Sequence, residues 1–351
     1  MSLWDKKRYS FFLWPGSVLF GLAIGLRNVL YDRGILSSRR LDAKVISIGN
    51  ITVGGTGKTP FVQLVTRLLS QKGIPAAVLS RGYGGTAKGF LVVSDGKYIQ
   101  AGAHLAGDEP VLLAKRLPGV PVLVSPDRIA TGTAAIHRFG SRVLVMDDAF
   151  QHRKIQRDID IVLLSSERPF GNGWLLPAGP LREPLSSLKR ADAVVLTGFG
   201  EPPSETDRAI VSRWTKAPVL YARRKPTVWI RHGTDETLGL NRLKGQSVLA
   251  FAGIGNPLSF KKTVLETGTC VSKCVSFPDH YWYQTGDLNR LSSLAEKLGV
   301  QAVVTTEKDG VRIGSWNNRT PLYSLRIQME LSGGPEALLR ILERLFGCRT
   351  P

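Results

Sequence analysis

Val45 to Pro60 reads VISIGNITVGGTGKTP, and this stretch decides the fold. Val45–Ile48 is a short β-branched run, the signature of a buried strand. Gly54-Gly55-Thr56-Gly57 follows as a glycine-dense turn, and Lys58-Thr59 closes it. Phe61, Leu64, Val65, Leu68 and Leu69 then recur at helical spacing. Strand, glycine loop, Lys-Thr and helix form the context of a phosphate-binding loop. The glycines let backbone N–H groups turn around a polyphosphate, and the helix N-terminus adds its positive end. Lys58 is placed to reach β/γ-phosphates and Thr59 to ligand Mg²⁺. One departure stands out. Thr52 occupies the position where the usual pattern has its first glycine.

Outward from the loop, buried strands are expected at Ala76–Leu79, Val122–Val124, Val143–Met146, Ile159–Leu164 and Ala193–Leu196. Helices are expected at Val111–Leu117 and Ile129–Phe139. Alternating βα units imply a largely parallel sheet covered by helices, the α/β class. Arg142–Asp148 is an apolar strand ending in two acids, Asp147 and Asp148. Such a pair downstream of a GKT loop is a second nucleotide-site element that holds Mg²⁺ or its water. Loops at strand C-termini line ligand crevices in such sheets. Ser80-Arg81-Gly82-Tyr83-Gly84-Gly85 lies at one of them. A long Gly/Pro-rich loop, Pro169–Pro184, carries Arg182 and Glu183.

Residues 43–216 therefore read as the phosphate-loop core, and 217–246 as a strand-rich linker. A second, smaller α/β lobe at 247–351 has a strand at Val248–Ala252. Helices follow at Phe260–Thr267 and Leu288–Leu298, a strand at Ala302–Thr305, and a closing helix from Pro335 to Phe346. Residues 1–42 stand apart. Phe11 to Leu26, FFLWPGSVLFGLAIGL, carries no charge and is flanked by Lys6, Lys7 and Arg8 before it and by Arg27, Arg33, Arg39 and Arg40 after it. Spanning a bilayer takes about 20 apolar residues, and this run is shorter. Read as a helix opening at Pro15, it puts Ser17, Gly21, Gly25, Asn28 and Asp32 on one small or polar stripe, with apolar residues elsewhere. A cleaved signal peptide lacks its small-residue cleavage site here. A buried core helix leaves the basic flanks unexplained. A membrane-interfacial helix accounts for the apolar faces, Trp4, Trp14 and the flanks together, and is preferred.

The chain has 351 residues, 43% hydrophobic, with a formal charge of +19. Such a charge points to an anionic partner: nucleic acid, lipid headgroups or a phosphorylated substrate. The basic residues are scattered rather than interleaved with stacking aromatics, which disfavours nucleic acid. The three cysteines, Cys270, Cys274 and Cys348, are too few for a disulfide framework and lack metal-ligand neighbours.

The blocks SIGNITVGGTGKTP, SRGYGG, GDEP, DDAFQHR, LPAGPLREP, FAGIGNP, FPDHYWY and TTEKDG occur in that order. Together they identify the chain as similar to the tetraacyldisaccharide 4′-kinases of lipid A biosynthesis, whose phosphate loop shares the Thr52 departure. The resemblance implies transfer of the γ-phosphoryl of ATP, with Mg²⁺, to the 4′-hydroxyl of a tetraacylated glucosamine disaccharide 1-phosphate. It places the protein at the cytoplasmic face of the bacterial inner membrane, peripheral or monotopic, on an anionic surface. By matching motifs, Lys58 and Thr59 would bind phosphate and Mg²⁺, with Asp147 and Asp148 as the second metal element. Asp108 would be the base for the 4′-hydroxyl, partnered by His280. Arg81, Tyr83, His152, Arg182 and Glu183 would line the site. On residues alone, Asp108 also suits a helix N-terminus, and a structural histidine is the favoured reading of His280 in its aromatic block.

Two other phosphate-loop classes fit less well. A membrane-associated ATPase switch of the partition or cell-division type also carries GGTGKT, but has lysine where this chain has Val53. A GTPase of the metallochaperone kind needs Asn/Thr-Lys-x-Asp, and Thr306-Glu307-Lys308-Asp309 has another order.

Overall fold

The computed structural model describes residues 7–316 and 318–346, with the backbone alone for 7–10. Trp4, Lys6 and Cys348 lie outside the described residues.

Helix α1 spans Lys7–Asp32. β1 (Lys44–Gly49) leads through the glycine loop into α2 (Lys58–Gln71). β2 (Ala76–Ser80), β3 (Leu91–Asp95), α3 (Ala103–Ala106) and α4 (Asp108–Arg116) follow. Next come β4 (Pro121–Val124), α5 (Arg128–Phe139), β5 (Val143–Asp147) and β6 (Ile159–Ser165). Beyond a long loop lie β7 (Ala193–Gly198), α6 (Glu205–Ser212), β8 (Val219–Arg231) and β9 (Thr237–Gly239). The chain continues with β10 (Ser247–Ala252), α7 (Pro257–Glu266), β11 (Cys270–Ser276) and α8 (Thr285–Leu298). It closes with β12 (Ala302–Thr306), α9 (Glu307–Gly310), β13 (Leu322–Leu331) and α10 (Glu336–Glu343).

Two compact units result. The first holds Met1–Arg81, Val120–Arg224 and Met329–Pro351; the second holds Gly82–Gly119 and Lys225–Gln328. This division differs from the boundaries expected from sequence. Residues 82–119 belong with the C-terminal lobe, because α4 packs on α9 and β3. The strand-rich stretch 217–246 is divided between the units at Arg224/Lys225, and its β8 pairs with β7 of the first unit in parallel from Val219 to Arg223.

In the first unit the strands pair in the order β8-β7-β6-β1-β5-β2-β4, all parallel. β1 is central and β5 is buried along its whole length. Both faces of such a sheet are covered, which is why these strands read as continuous apolar runs. Ile51, Phe150, Val162, Leu164, Leu188 and Leu196 form one core beside the glycine loop. In the second unit the order is β11-β10-β12-β13, also parallel, with β9 antiparallel to β8. Its two cores centre on Trp229 and Phe260 on one face and on Phe251 and Tyr283 on the other. β11 went unread in the sequence because CVSKCVS is a half-exposed strand at one end of this ladder, without an apolar run.

Helix α1 does not open at Pro15; Pro15 lies inside it. The expected stripe is real and faces the first unit. Ser17 Oγ donates to the Leu175 carbonyl (2.8 Å) and accepts from the Ala178 amide (2.9 Å). A side chain at Gly21 would strike Leu175, so glycine permits the close approach. Asn28 donates to Glu183 at 2.9 Å, and Arg153 bonds Asp32 at 2.6 Å. The opposite face is apolar and open: Leu19, Leu22 and Leu26 are 69%, 66% and 62% exposed. This inverts the usual helix of a water-soluble domain, whose apolar stripe faces inward.

Candidate functional site

In the first unit the site begins at the C-terminal end of β1. Ile48 pairs in register with Asp147 of β5, so the glycine loop and the acid pair leave neighbouring strands at one level. Gly57 caps α2 at φ 79° with no side-chain capping bond, leaving the first N–H groups of the helix for a ligand. A side chain at Gly57 would also collide with Met329 and Arg224. The loop is held from several sides. Arg224 donates to the Gly55 carbonyl at 2.8 Å, Thr197 to the Thr56 carbonyl at 2.7 Å, and Asn50 to Thr56 Oγ1 at 3.1 Å. Thr52, at the missing glycine, forms an antiparallel bridge with Leu181 and is not among the positive-φ residues, so the position makes no demand for glycine.

Asp148 adopts φ 48°, a left-handed conformation uncommon outside glycine. It turns the chain so that the Ala149 amide bonds the Ile48 carbonyl at 3.2 Å. The Asp148 carboxylate takes two bonds of 3.0 Å from Arg182 and lies 3.5 Å from Lys58 Nζ. Burial works to raise the Asp148 pKa, but the charges of Lys58, Arg182 and Arg128 outweigh it and hold it below the ordinary value. Asp147 is buried. Arg128, at the start of α5, is 2% exposed. Burial opposes its charge while Asp147 and Asp148 support it. Sequence reading missed Arg128, since an arginine opening a helix after Asp127 carries no distinguishing signal.

His152 is half-buried nearby. Burial and then the charges of Arg128, Arg157, Lys154 and Arg81 push its pKa down to about 4. Arg81 is exposed just past β2. Glu183 does not line an open site as expected. It is wholly buried, bonded by Arg190 (2.9 and 3.1 Å), Asn28 (2.9 Å) and Gln151 (3.1 Å). Its carboxylate is spent fastening α1 to the body.

The second unit brings Asp108, His280 and Tyr83 together. Asp108 is the first residue of α4, after Gly107 at φ 92°. A side chain at Gly107 would strike the Tyr83 carbonyl, and one at Gly85 the backbone of Leu105 to Gly107. The glycines of SRGYGG and GDEP are thus needed for close packing. His280 Nδ1 lies 3.2 and 3.1 Å from the two Asp108 oxygens. His280 has φ 57° and its amide bonds the Gly253 carbonyl at 3.1 Å. The Tyr83 ring stands edge-on to the imidazole, with centroids 5.4 Å apart, and is 72% exposed. Burial works to raise the Asp108 pKa, yet the His280 hydrogen bond and the Lys308, His280 and Arg312 charges bring it below the ordinary value. The bond to Asp108 raises the His280 pKa against the effect of burial. Asp108 does not cap its helix beyond a 3.0 Å contact with its neighbour's amide.

A strand, glycine loop and uncapped helix carrying Lys58-Thr59, one register step from an acid pair, define a phosphate-loop nucleotide-binding protein of the α/β class. Residues 9–346 match the family model described as tetraacyldisaccharide-1-P 4′-kinase, and the chain belongs to that family. It is 42% identical over 339 residues to the tetraacyldisaccharide 4′-kinase of Syntrophus aciditrophicus, covering 93% of this chain and 91% of the relative. It is 40% identical to that of Geobacter metallireducens, covering 90% and 92%. The crystal structure described as an "apo" form of LpxK from Aquifex aeolicus in complex with ATP superposes with a TM-score of 0.79 at 36% identity, covering 96% of this chain and 99% of that one.

Proposed function

We propose that this chain transfers the γ-phosphoryl of ATP to the 4′-hydroxyl of a tetraacylated glucosamine disaccharide 1-phosphate. The observation that carries the chemistry is Lys58 and Thr59 at the uncapped start of α2, following β1, whose Ile48 pairs in register with Asp147. Family membership over nearly the whole chain fixes the reaction as a lipid A biosynthesis kinase. The reading as a partition-type ATPase switch is not favoured.

The glycine loop amides and Lys58 bind the ATP phosphates and spread the charge that develops on transfer. The donor set beside them suits Mg²⁺, a hard cation that keeps several waters and takes one or two carboxylates. Thr59 and Asp147 would hold it, because Asp148 is already engaged by Lys58 and Arg182. Bound Mg²⁺ would supply charge neutralisation on the phosphates. Asp108, kept ionised by His280, accepts the 4′-hydroxyl proton as the sugar oxygen bonds the γ-phosphorus. The bond from that phosphorus to the bridging oxygen breaks, and ADP departs. Tyr83 and Arg81 contact the substrate. His152 stays neutral at working pH and Glu183 is structural.

The exposed leucine face of α1 seats the protein on an anionic bilayer at the cytoplasmic face. Phe11–Asp32 is long and apolar enough to cross a membrane. Its other side, however, is fastened to the first unit from Ser17 to Asp32, which supports a monotopic placement.

The test is transfer of labelled γ-phosphate from ATP to a tetraacylated disaccharide 1-phosphate in detergent micelles, with the product's phosphate located by NMR. Label on the 4′ oxygen supports the proposal. ATP hydrolysis without lipid phosphorylation would overturn it.

A further inference from the structure

Arg312 follows α9 and is absent from every motif that announced the site. Its side chain is 1% exposed. Nε lies 3.4 Å from Asp108 Oδ2. Nη2 donates to Asp309 Oδ1 at 2.8 Å and to the Gly253 carbonyl at 3.0 Å. That carbonyl is the one that takes the His280 amide. Asp309 is fully buried and receives the Tyr283 hydroxyl (2.7 Å), the Gly253 amide (3.0 Å) and the Thr306 hydroxyl (2.5 Å). A single guanidinium therefore touches the carboxylate of Asp108 and the carbonyl that holds His280 in its left-handed backbone conformation.

Isolated buried cations are costly, and one that is paired on a fixed fork keeps its place. Asp309 supplies the pairing charge; the same Nη2 that bonds it also holds the Gly253 carbonyl, while Nε donates to the Lys308 carbonyl at 3.3 Å and faces the Asp108 carboxylate. We propose that Arg312 is a positioning residue for the phosphoryl-transfer base: its fork sets the orientation of Asp108 and the backbone of His280. This inference rests on the reading of Asp108 as the base. The charged groups acting on Asp108 are His280, Lys308 and Arg312, and each has its own acid: Asp279 beside His280 on the aromatic loop, Glu109 beside Lys308, and Asp309 beside Arg312. Among them Arg312 alone bonds both Asp309 and the Gly253 carbonyl that holds the His280 amide. A lysine keeps the cation for Asp309 but has a single nitrogen, and cannot hold the two Nη2 contacts and the Nε contact beside Asp108 at once.

The test compares Arg312→Lys with the parent, Asp108→Asn, and the double variant, by kcat against pH and by KM for ATP. In Arg312→Lys, kcat is expected to fall by about tenfold or more, with KM for ATP within twofold and the acid limb of the profile moved to higher pH. Added to Asp108→Asn, it should lower turnover no further, because both act through one group. Parent-like kcat and pH profile in Arg312→Lys, or a loss that multiplies with that of Asp108→Asn, would overturn the proposal. If Asp108→Asn itself kept parent turnover, the base assignment would fail instead, and the two failures are distinguishable. Should Arg312→Lys not accumulate as folded protein, Arg312→Gln with Asp309→Asn removes both buried charges together. That pair carries the same expected losses and the same overturning result.

Discussion

Asp108 and His280 are 172 positions apart in the chain, and their side chains meet with His280 Nδ1 3.1 Å from Asp108 Oδ2. Asp108 is 2% exposed, and His280 holds an uncommon φ of 57° to reach it. Backbone strain of this kind persists where surrounding packing fixes it, and it concentrates at functional sites. In the first unit, Asp148 at the phosphate loop likewise has a positive φ, 48°.

Lys58 supplies the cation at the start of α2 and sits 3.5 Å from Asp148. Lys58→Ala is expected to lower kcat by about 10²–10³-fold or more and to weaken ATP binding. Melting temperature should barely move, since the pair with Asp148 is partly solvated. Steady-state kinetics with ATP titration check this; near-normal turnover would remove the phosphate-loop assignment.

Helix α1 presents Leu19, Leu22 and Leu26 outward. Replacing all three by Ser should cost about 3 kcal/mol of insertion, on the order of 10²-fold in affinity for anionic vesicles. Folding should be spared, because the helix is fastened through Ser17, Asn28 and Asp32 on its other side. Deleting residues 1–33 would also weaken vesicle binding, but it would strand Glu183 without Asn28. Vesicle co-sedimentation together with melting curves separates the two effects. Unchanged binding of the triple variant would remove α1 from the membrane contact.

The His152 pKa of about 4 lies below the ordinary imidazole value of about 6.5. The unfolded chain takes up this proton as pH falls through about 6.5, while the folded protein refuses it until about 4. Folding stability is therefore lost progressively across that interval. His152→Gln removes the titration, so its melting temperature relative to the parent should rise as pH drops from 6.5 toward 4. A constant offset across that range would contradict the buried neutral assignment.

The phosphate loop and the parallel core were legible because their signals are local. GKT follows a β-branched strand, the acid pair ends another, and continuous apolar runs mark strands covered on both faces. The small-residue stripe of α1 was legible too, as a period of about 3.6. Other features depend on distant partners and leave no local trace. Pairing of Asp108 with His280 came from motif resemblance, since spacing says nothing about residues on separate elements. Glu183 reads as a loop charge until Asn28 and Arg190 are seen around it. Arg312 lies in an unremarkable VRIG stretch, and only the fold reveals its contacts with Asp108, Asp309 and the Gly253 and Lys308 carbonyls. Likewise, residues 82–119 follow the core in sequence but pack with the second unit, through α4 against α9.

The claim that Asp108 and His280 act as one catalytic unit is tested most directly by a double-mutant cycle on lipid phosphorylation. Asp108→Asn and His280→Gln should each lower kcat by about 10²–10⁴-fold with KM for ATP nearly unchanged, and the double variant should be little worse than the poorer single one. Losses that multiply, or single variants that melt earlier yet turn over within a few-fold of the parent, would contradict it.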